Sequence, residues 1–332
     1  MSCWVITGGC GFIGRNFIKL LLSNDVAPGD IRVFDDLSVG TRDDLQMVVS
    51  TFAENEDWGG DSLSLWVGDI RDSSAVNSAF AGADNVVHLA ACTGVAPSVE
   101  NPFFDHEQNV LGTLNCLEAA RKLQINRFVF ASSGAPLGLV EPPIHEKLAP
   151  NPASPYAASK LAAEGYCLAY ANCFDVKTVI LRFGNVYGPY SEKKSSVVAK
   201  FIHQALSGEV LEIYGDGSAT RDFINVDDLC DAIWRGAHAD EQNTGEVYQI
   251  ATNRETSVRE IVSILQSAFE KRGIENVRIE YASPRQGDVP RNFSDITKAR
   301  ERLGWTPCDD LEGLILETLD WHLAHRSGNS TV

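Results

Sequence analysis

Positive charge is what this 332-residue chain has least of: 28 lysines and arginines stand against 45 aspartates and glutamates, a net charge of −17. Such an acidic surface repels phosphate backbones and anionic lipid, which excludes nucleic acid and membrane as general partners. A phosphate-bearing ligand must then be met by a few arginines gathered at its site. No apolar run approaches the ~18 residues a membrane span needs, and no signal peptide precedes the first apolar stretch. The eight cysteines are scattered, with no C-x-x-C pair and several inside apolar segments. They read as buried free thiols of a reducing compartment, neither a disulfide framework nor a zinc site. His322 and His325 stand three apart near the end and are expected to be exposed positions rather than metal ligands. There is no internal repeat and no low-complexity tract. At 44% hydrophobic and 22% charged residues, the chain reads as a cytoplasmic globular protein.

What is present is a regular alternation. Residues 3–7 make a short buried strand that runs into Gly8-Gly9-Cys10-Gly11-Phe12-Ile13-Gly14 and then an amphipathic helix to about residue 22. Strand, glycine-rich turn and helix form a dinucleotide-binding arrangement. Gly8 serves the tight turn, Gly11 the close approach of backbone to a pyrophosphate, and Gly14 the packing of helix on strand. The free N–H groups where the helix starts, at Phe12 and Ile13, suit the phosphates. A second strand, residues 31–34, ends at Asp35, roughly 20 residues past Gly14, where a carboxylate accepts from the adenosine ribose. Its charge would repel a 2′-phosphate, so NAD is favoured over NADP. Asp36 reads as solvated and Arg42 as a surface arginine in a first helical turn.

Residues 51–61 read as an acidic surface loop. Residues 63–67 give a third strand, followed by Asp69 and Ile70; Asp69 is either an adenine contact or a helix N-cap. Residues 86–91 give a fourth strand, and its small end, Leu89-Ala90-Ala91, lets backbone approach a cofactor. His88 within it reads as a core histidine. A helix over about 103–123 carries Asn109, a candidate for an active-site hydrogen-bond network. A fifth strand, residues 127–131, ends in Ser132-Ser133, and a sixth spans 176–181. Strands alternating with helices predict a parallel, doubly wound α/β sheet.

Ser154-Pro155-Tyr156-Ala157-Ala158-Ser159-Lys160 carries the most chemistry. Ser154 is a good N-cap and Pro155 suits the first helical position. Tyr156 then lies in the first turn, with Lys160 four residues on along the same face. An ordinary tyrosine titrates near ~10. A neighbouring ammonium and the positive end of a helix both favour the phenolate, so the spacing predicts a tyrosine tuned for proton transfer. Ser133 projects into the same crevice, where its hydroxyl reaches whatever Tyr156 acts upon. Taken alone the spacing arises more often by chance; the dinucleotide signals upstream change that.

From about residue 182 the alternation loosens. Residues 1–181 are expected to form the dinucleotide-binding domain, residues 182–326 a smaller mixed α/β substrate domain, and residues 327–332 a tail. A strand-like stretch at 247–251 is expected to return to the first sheet. Residues 184–189 read as a loop, residues 213–223 as turn-rich, and helices are expected near 197–206, from 226, over 257–271 and over 309–325.

Together, Thr7 to Gly14, Asp35, Asn109, Ser133 and Tyr156-x-x-x-Lys160 resemble the extended short-chain dehydrogenase/reductase family, a Rossmann fold, over nearly the whole chain. Leu181-Arg182-Phe183-Gly184-Asn185-Val186-Tyr187-Gly188-Pro189, Gly215-Asp216-Gly217-x-x-x-Arg221-Asp222-Phe223 and Arg285-x-Gly287-Asp288 narrow this to nucleotide-sugar epimerases and dehydratases. The resemblance implies NAD as cofactor, a UDP-sugar as substrate and a homodimer. Tyr156 would be the base that removes a sugar hydroxyl proton while hydride passes to NAD. Lys160 would lower its pKa and bind the nicotinamide ribose, and Ser133 would hydrogen-bond the reacting oxygen. Asn185, Arg221 and Arg285 would hold the nucleotide diphosphate, Asp288 its ribose, and Val198 and Tyr214 would complete the substrate site. Arginine loops would thus clamp an anionic ligand inside an acidic protein.

Dehydratases of this kind follow the hydroxyl residue with an Asp-Glu pair, and decarboxylases usually keep the glutamate; here the pair is Gly134-Ala135. What remains is oxidation, rotation of the keto sugar and reduction from its other face, which is 4-epimerisation. A 4,6-dehydratase and a UDP-glucuronate decarboxylase are the alternatives within the family, and a non-catalytic NAD-binding scaffold the alternative outside its chemistry. Ala135-Pro136-Leu137-Gly138 replaces the family's usual Tyr-Gly with a stiffer loop. Asn292 stands where UDP-glucose epimerases often carry a large aromatic. The smaller side chain leaves room for an N-acetyl group, so UDP-N-acetylglucosamine joins UDP-glucose and UDP-glucuronate as candidates.

Overall fold

The computed structural model describes residues 2–283 and 290–326. Residues 1, 284–289 and 327–332 lie outside the described part, and with them Arg285, Asp288 and the expected tail. Short apolar runs become strands buried on both faces, and the amphipathic segments between them become covering helices. In chain order these are β1 (Trp4–Thr7), α1 (Phe12–Ser23), β2 (Ile31–Asp35), α2 (Arg42–Gln46), β3 (Phe52–Glu54), β4 (Leu63–Val67) and α3 (Ser73–Phe80). Then come β5 (Asn85–His88), α4 (Val95–Glu100), α5 (Pro102–His106), α6 (Gly112–Lys122), β6 (Arg127–Ser133), α7 (Pro155–Phe174) and β7 (Thr178–Phe183). The later part adds β8 (Asn185–Tyr187), α8 (Val197–Leu206), β9 (Leu211–Tyr214), β10 (Thr220–Arg221), β11 (Phe223–Asn225) and α9 (Val226–Ala237). It closes with β12 (Glu246–Ile250), β13 (Thr256–Ser257), α10 (Val258–Lys271), β14 (Ile279–Ala282), α11 (Thr297–Leu303) and α12 (Leu311–Ala324).

Eight strands make one parallel sheet in the order β12-β7-β6-β5-β1-β2-β4-β3. The order reverses between β1 and β5, and ligands of such sheets bind beyond the carboxyl ends of the strands at that reversal. One face packs Trp4, Ile6, Val33 and Leu181 beneath α1 and α9; the other packs Val5, Phe34, Phe128 and Ile180 beneath α3, α6 and α7. β12 comes from the later part of the chain yet pairs with β7, Glu246 opposite Val179 through Ile250 opposite Phe183. A separate apolar cluster, including Phe201, Ile213, Leu265, Phe269 and Leu319, joins α8, β9, α10 and α12.

Several local readings change. β3 lies inside the stretch expected to be a surface loop, where three half-exposed residues at a sheet edge are too few to show an alternating pattern. Residues 185–187, expected as loop, pair in parallel with β11. Asp69 is not the helix cap: Asp72 accepts from the N–H groups of Ser74 (2.8 Å) and Ala75 (3.2 Å) at the start of α3. His322 is buried with its Nε2 3.3 Å from the Ser191 hydroxyl, whereas His325 is exposed. All eight cysteines are free thiols, but Cys173 and Cys308 are exposed. The single helix expected over 103–123 is α5 and α6 joined through a π-helical stretch, Glu107–Leu111, that contains Asn109. Wide turns of this kind recur at functional sites because they displace side chains from regular spacing. Among the described residues no helix is long and apolar enough to cross a membrane, and no three potential metal ligands gather.

A strap from the later part closes over the cofactor-side helices. Arg15 on α1, only 2% exposed, donates to the Tyr190 carbonyl (2.9 Å) and to Glu192 (2.6 Å). Asn16 donates to the Pro189 carbonyl at 3.0 Å, and Lys193 reaches Asp44 and the Val39 carbonyl.

Beneath the carboxyl edge of the sheet, Arg182 of β7 grips Glu164 of α7 with two bonds of 2.7 and 2.8 Å, and the Ser132 hydroxyl donates to the same carboxylate. Both charged side chains are buried. Removing one partner of such a pair strands the other in a low-dielectric interior. Arg182→Leu should therefore cost about 3–5 kcal/mol in urea unfolding, and Glu164→Leu in the same chain should restore much of it.

Candidate active site

The crevice is built where β1 and β5 end side by side. The Thr7 hydroxyl meets His88 Nδ1 at 2.7 Å and accepts from the N–H groups of Leu89 (3.2 Å) and Ala90 (3.1 Å), so one side chain ties the two strand ends. Gly8 follows at φ +69°, and a Cβ there would stand 2.8 Å from the Ala90 nitrogen, so the close approach admits only glycine. A Cβ on Gly14 would meet Gly9 Cα at 2.5 Å, which lets α1 lie against the turn. Gly11 opens α1 in extended conformation with no side-chain cap, leaving the N–H groups of Phe12, Ile13 and Gly14 to an anion. Leu89, Ala90 and Ala91 line the opposite wall, half-buried.

Asp35 ends β2 and accepts from the N–H groups of Cys10 and Leu37, each at 2.9 Å. Burial pushes its carboxyl up to about 6 in spite of these bonds. These residues fit a dinucleotide: a glycine cradle closed to any Cβ, an uncapped helix start, and a carboxylate at the ribose position. Asp69, two residues past β4, has its Oδ2 held by Arg71 Nη2 and Nε at 2.6 and 2.9 Å, which keeps its carboxyl below the usual range. Ile70 is buried against Gly112.

The Ser154 hydroxyl accepts from Ala157 N–H at 3.2 Å with Pro155 in the first turn, and α7 starts where the spacing predicts. Ser133 stands near enough to Tyr156 to favour its anion, and its hydroxyl accepts from Ala135 N–H at 3.2 Å. Lys160 lies one turn deeper, buried, donating to the Ala131 carbonyl at 3.0 Å with its ammonium 4.9 Å from the centre of the Phe130 ring. The electrostatics differ from the expected tuned phenolate. Burial pushes the Tyr156 hydroxyl above its ordinary value, Ser133 offsets this only in part, and Asp105 adds to the rise. Lys160 is itself pulled down to about 8 by burial. Spacing places the ammonium on the expected face, where it donates to Ala131.

Asn109 is a brace one layer behind Tyr156. Its Oδ1 accepts from Cys92 N–H (2.9 Å), and its Nδ2 faces the Cys92 carbonyl (3.0 Å), Ser159 Oγ (3.0 Å) and Asp105 Oδ1 (3.1 Å). Ser159 in turn donates to the Tyr156 carbonyl at 3.0 Å. His88 is the core histidine expected, 1% exposed between Thr7 and Thr113, and burial pulls it down to about 3. Sequence reasoning missed Asp105, Cys92, Ser159 and the Arg182–Glu164 pair. The one available signal was the four-residue spacing of Asp105 and Asn109 on a helix.

The expected substrate residues Asn185, Val198, Tyr214 and Arg221 line one open cleft between β8, α8, β9 and β10, with Lys200 beside them. The Lys200 ammonium is 5.4 Å from the Tyr214 ring centre, and Arg221 donates to the Thr220 carbonyl at 2.6 Å. Asp222 next to Arg221 accepts from Thr252 and from the N–H groups of Asn253 and Ser294, which anchors the segment carrying the half-buried Asn292. The loop after Ser133 forms a short 3-10 turn, Ala135–Leu137, with Pro136 and Leu137 buried. Ile144 of the same loop exchanges bonds of 2.8 Å with Phe293 and Asp295, so the 134–153 loop and the 291–295 segment are joined.

The family model described as GDP-mannose 4,6 dehydratase matches residues 5–318. The UDP-glucose 4-epimerase of Mycolicibacterium smegmatis is 35% identical over 322 residues, 96% of this chain and 97% of that protein. The structure of a UDP-glucose 4-epimerase from Thermotoga maritima with UDP-glucose superposes at a TM-score of 0.85 with 31% identity, covering 98% of this chain and 99% of that one. A dTDP-glucose 4,6-dehydratase from Streptomyces venezuelae with NAD bound does so at 0.85 with 29% identity, covering 98% of each. The chain belongs to this family of nucleotide-sugar epimerases and dehydratases.

In the ligand-free protein, the phenolate absorbance difference between wild type and Tyr156→Phe should titrate above the ordinary ~10, because burial disfavours the anion. A midpoint near neutrality would contradict the electrostatics described.

Proposed function

We propose that this member of the family is an NAD-dependent 4-epimerase of a UDP-hexose. The observation that carries the reading is the short stretch after Ser133. Gly134 lies in helical conformation with open space where a side chain would stand, and Ala135 spends its N–H on Ser133. Dehydratases carry an acid pair at these positions, and elimination of water needs it. With hydroxyls alone at the reacting carbon, the available chemistry is removal and return of one proton and one hydride.

NAD, when bound, supplies the hydride acceptor, a positive charge that favours the phenolate, and afterwards the hydride donor. Tyr156 takes the proton of the sugar 4-hydroxyl as the carbonyl forms, while Ser133 donates to that oxygen. Lys160 orients the nicotinamide ribose, and Asn109 keeps the Cys92 backbone and the start of α7 in place. Asp35 accepts from the adenosine ribose. After the 4-keto sugar turns its other face, Tyr156 returns the proton to the 4-oxygen as the carbon–hydrogen bond reforms. Asn185, Val198, Tyr214 and Arg221 hold the nucleotide diphosphate, with Arg285 and Asp288 as further contacts. Residues 1–181 with β12 serve the cofactor and the rest of residues 182–326 the substrate. Asn292 favours UDP-N-acetylglucosamine over UDP-glucose and UDP-glucuronate.

Incubation with each of the three UDP-sugars should yield a carbon-4 epimer from at least one. A 4-keto-6-deoxy sugar would mark a dehydratase, carbon dioxide a decarboxylase, and no product from an NAD-loaded protein a scaffold. Tyr156→Phe should retain substrate binding and lose ~10²–10⁴ in turnover, the usual worth of a general base.

We also propose a homodimer through the helices that flank α7. Val99, Phe103, Leu111, Tyr166 and Phe174 are large apolar side chains on α4 to α7 that remain 40–82% exposed. Adjacent exposed apolar residues mark an interaction face. Light scattering should give twice the 36.2 kDa chain mass, and Phe103→Glu should shift it toward the monomer; a monomeric wild type would refute the assembly.

A further inference from the structure

Asp105 is a buried ionisable group beside the site that the reaction above leaves unused. It is 1% exposed on α5; Oδ1 accepts from Asn109, and Oδ2 has no hydrogen-bond partner. Lys160 is 4% exposed, and its only hydrogen bond among the described residues is to the neutral Ala131 carbonyl. The titratable groups that act on it are Asp105, Glu164, Cys167 and Cys92, and it acts in turn on His88. Glu164 is already matched by the two bonds from Arg182. Cys92 and Cys167 are thiols that burial pushes upward, so they carry no negative charge near neutrality. His88, pulled down to about 3, carries no positive charge there. Among the groups that act on Lys160, Asp105 is therefore the carboxyl with an oxygen, Oδ2, that no hydrogen bond answers.

A buried ammonium without a counter-charge releases its proton. Once neutral, it neither favours a phenolate nor orients a ribose through charge-assisted bonds. Asp105 has a second hold on the site. The Asn109 amide has two protons on Nδ2, and Asp105 together with the Cys92 backbone groups fixes which way it faces. That orientation presents Oδ1 to the Cys92 N–H and Nδ2 to Ser159.

We propose that Asp105 is a positioning residue of the proton transfer: it is the counter-charge that keeps the buried Lys160 protonated, and through Asn109 it holds Cys92 and Ser159 in place behind Tyr156. The inference rests on the roles of Tyr156 and Lys160 proposed above. The groups that act on Tyr156 are Ser133, Asp105 and Cys92. Neutralising Asp105 therefore lowers the titration midpoints of both the lysine and the tyrosine, which costs ammonium and favours phenolate. The ammonium is present below its midpoint and lost as pH rises through it, so the alkaline loss of activity moves to lower pH. The phenolate forms earlier, so the acid limb moves the same way.

The test uses the full-length protein with carbon-13 at the lysine ε-carbons, the Lys160 signal being identified by its disappearance in Lys160→Met. The Lys160 midpoint, near about 8 in the wild type, should fall by roughly one unit or more in Asp105→Asn and hold in Asp105→Glu, which keeps the charge. Both limbs of the kcat/KM profile should shift to lower pH in Asp105→Asn. An unmoved Lys160 midpoint overturns the proposal, as does a profile lowered in height without displacement. If Asp105→Asn does not fold, Asp105→Ser is measured in the same way. Full turnover by Tyr156→Phe would instead remove the underlying catalytic reading, and a Lys160 midpoint that still followed Asp105 would leave the counter-charge standing.

Discussion

The cost of taking charge out of water governs this protein. The chain is strongly acidic, yet it buries Arg182, Lys160 and Arg15 with their partners at the carboxyl edge of the sheet and along the cofactor-side helix. Each is tolerable only because something answers it. Glu164 answers Arg182, Glu192 and the Tyr190 carbonyl answer Arg15, and Lys160 has the Ala131 carbonyl for its hydrogen bond and is pulled down by burial. Unanswered buried charges would cost several kcal/mol each. The polar groups beneath the crevice therefore form a fixed lattice, and the rest of the site hangs from it.

Topology converts that lattice into a site. Thr7 ties the ends of β1 and β5 where the strand order reverses, His88 carries the contact to Thr113, and the Thr113 hydroxyl donates to the Asn109 carbonyl at 2.6 Å. Asn109 then braces Cys92 and Ser159. The cofactor turn and the start of α7 are thus linked by polar contacts through the sheet, although nearly 150 residues of chain separate Gly8 from Tyr156. The π-helical stretch at Asn109 belongs to this connection, because it sets the amide where two elements can share it.

Much of the architecture was legible because it rests on local pattern. Continuous apolar runs marked β1, β2, β4, β5, β6 and β7, and Ser154-Pro155 marked the start of α7. Elements too short for periodicity escaped: β3 at the sheet edge and β8 paired with β11 each have three residues. Asp69 resembled a cap because both an Asx turn and an N-cap favour aspartate, and only the backbone distinguishes them. At the candidate site, the meeting of Ser133 with Tyr156 followed from strand end and helix start. The sense of the Tyr156 shift did not, because burial is a property of everything packed around a group.

The sequence alone determined the parallel doubly wound sheet, the glycine cradle with Asp35 at the next strand end, and the placement of Tyr156 and Lys160 on one helical face. These depend on spacing, and spacing is covalent. Only the tertiary structure decided that Lys160 spends its hydrogen bond on Ala131, that burial pushes the Tyr156 hydroxyl above its ordinary value, and that Asp105 braces Asn109 behind the start of α7. Those outcomes depend on distance and dielectric between segments far apart in the chain, which no local pattern encodes.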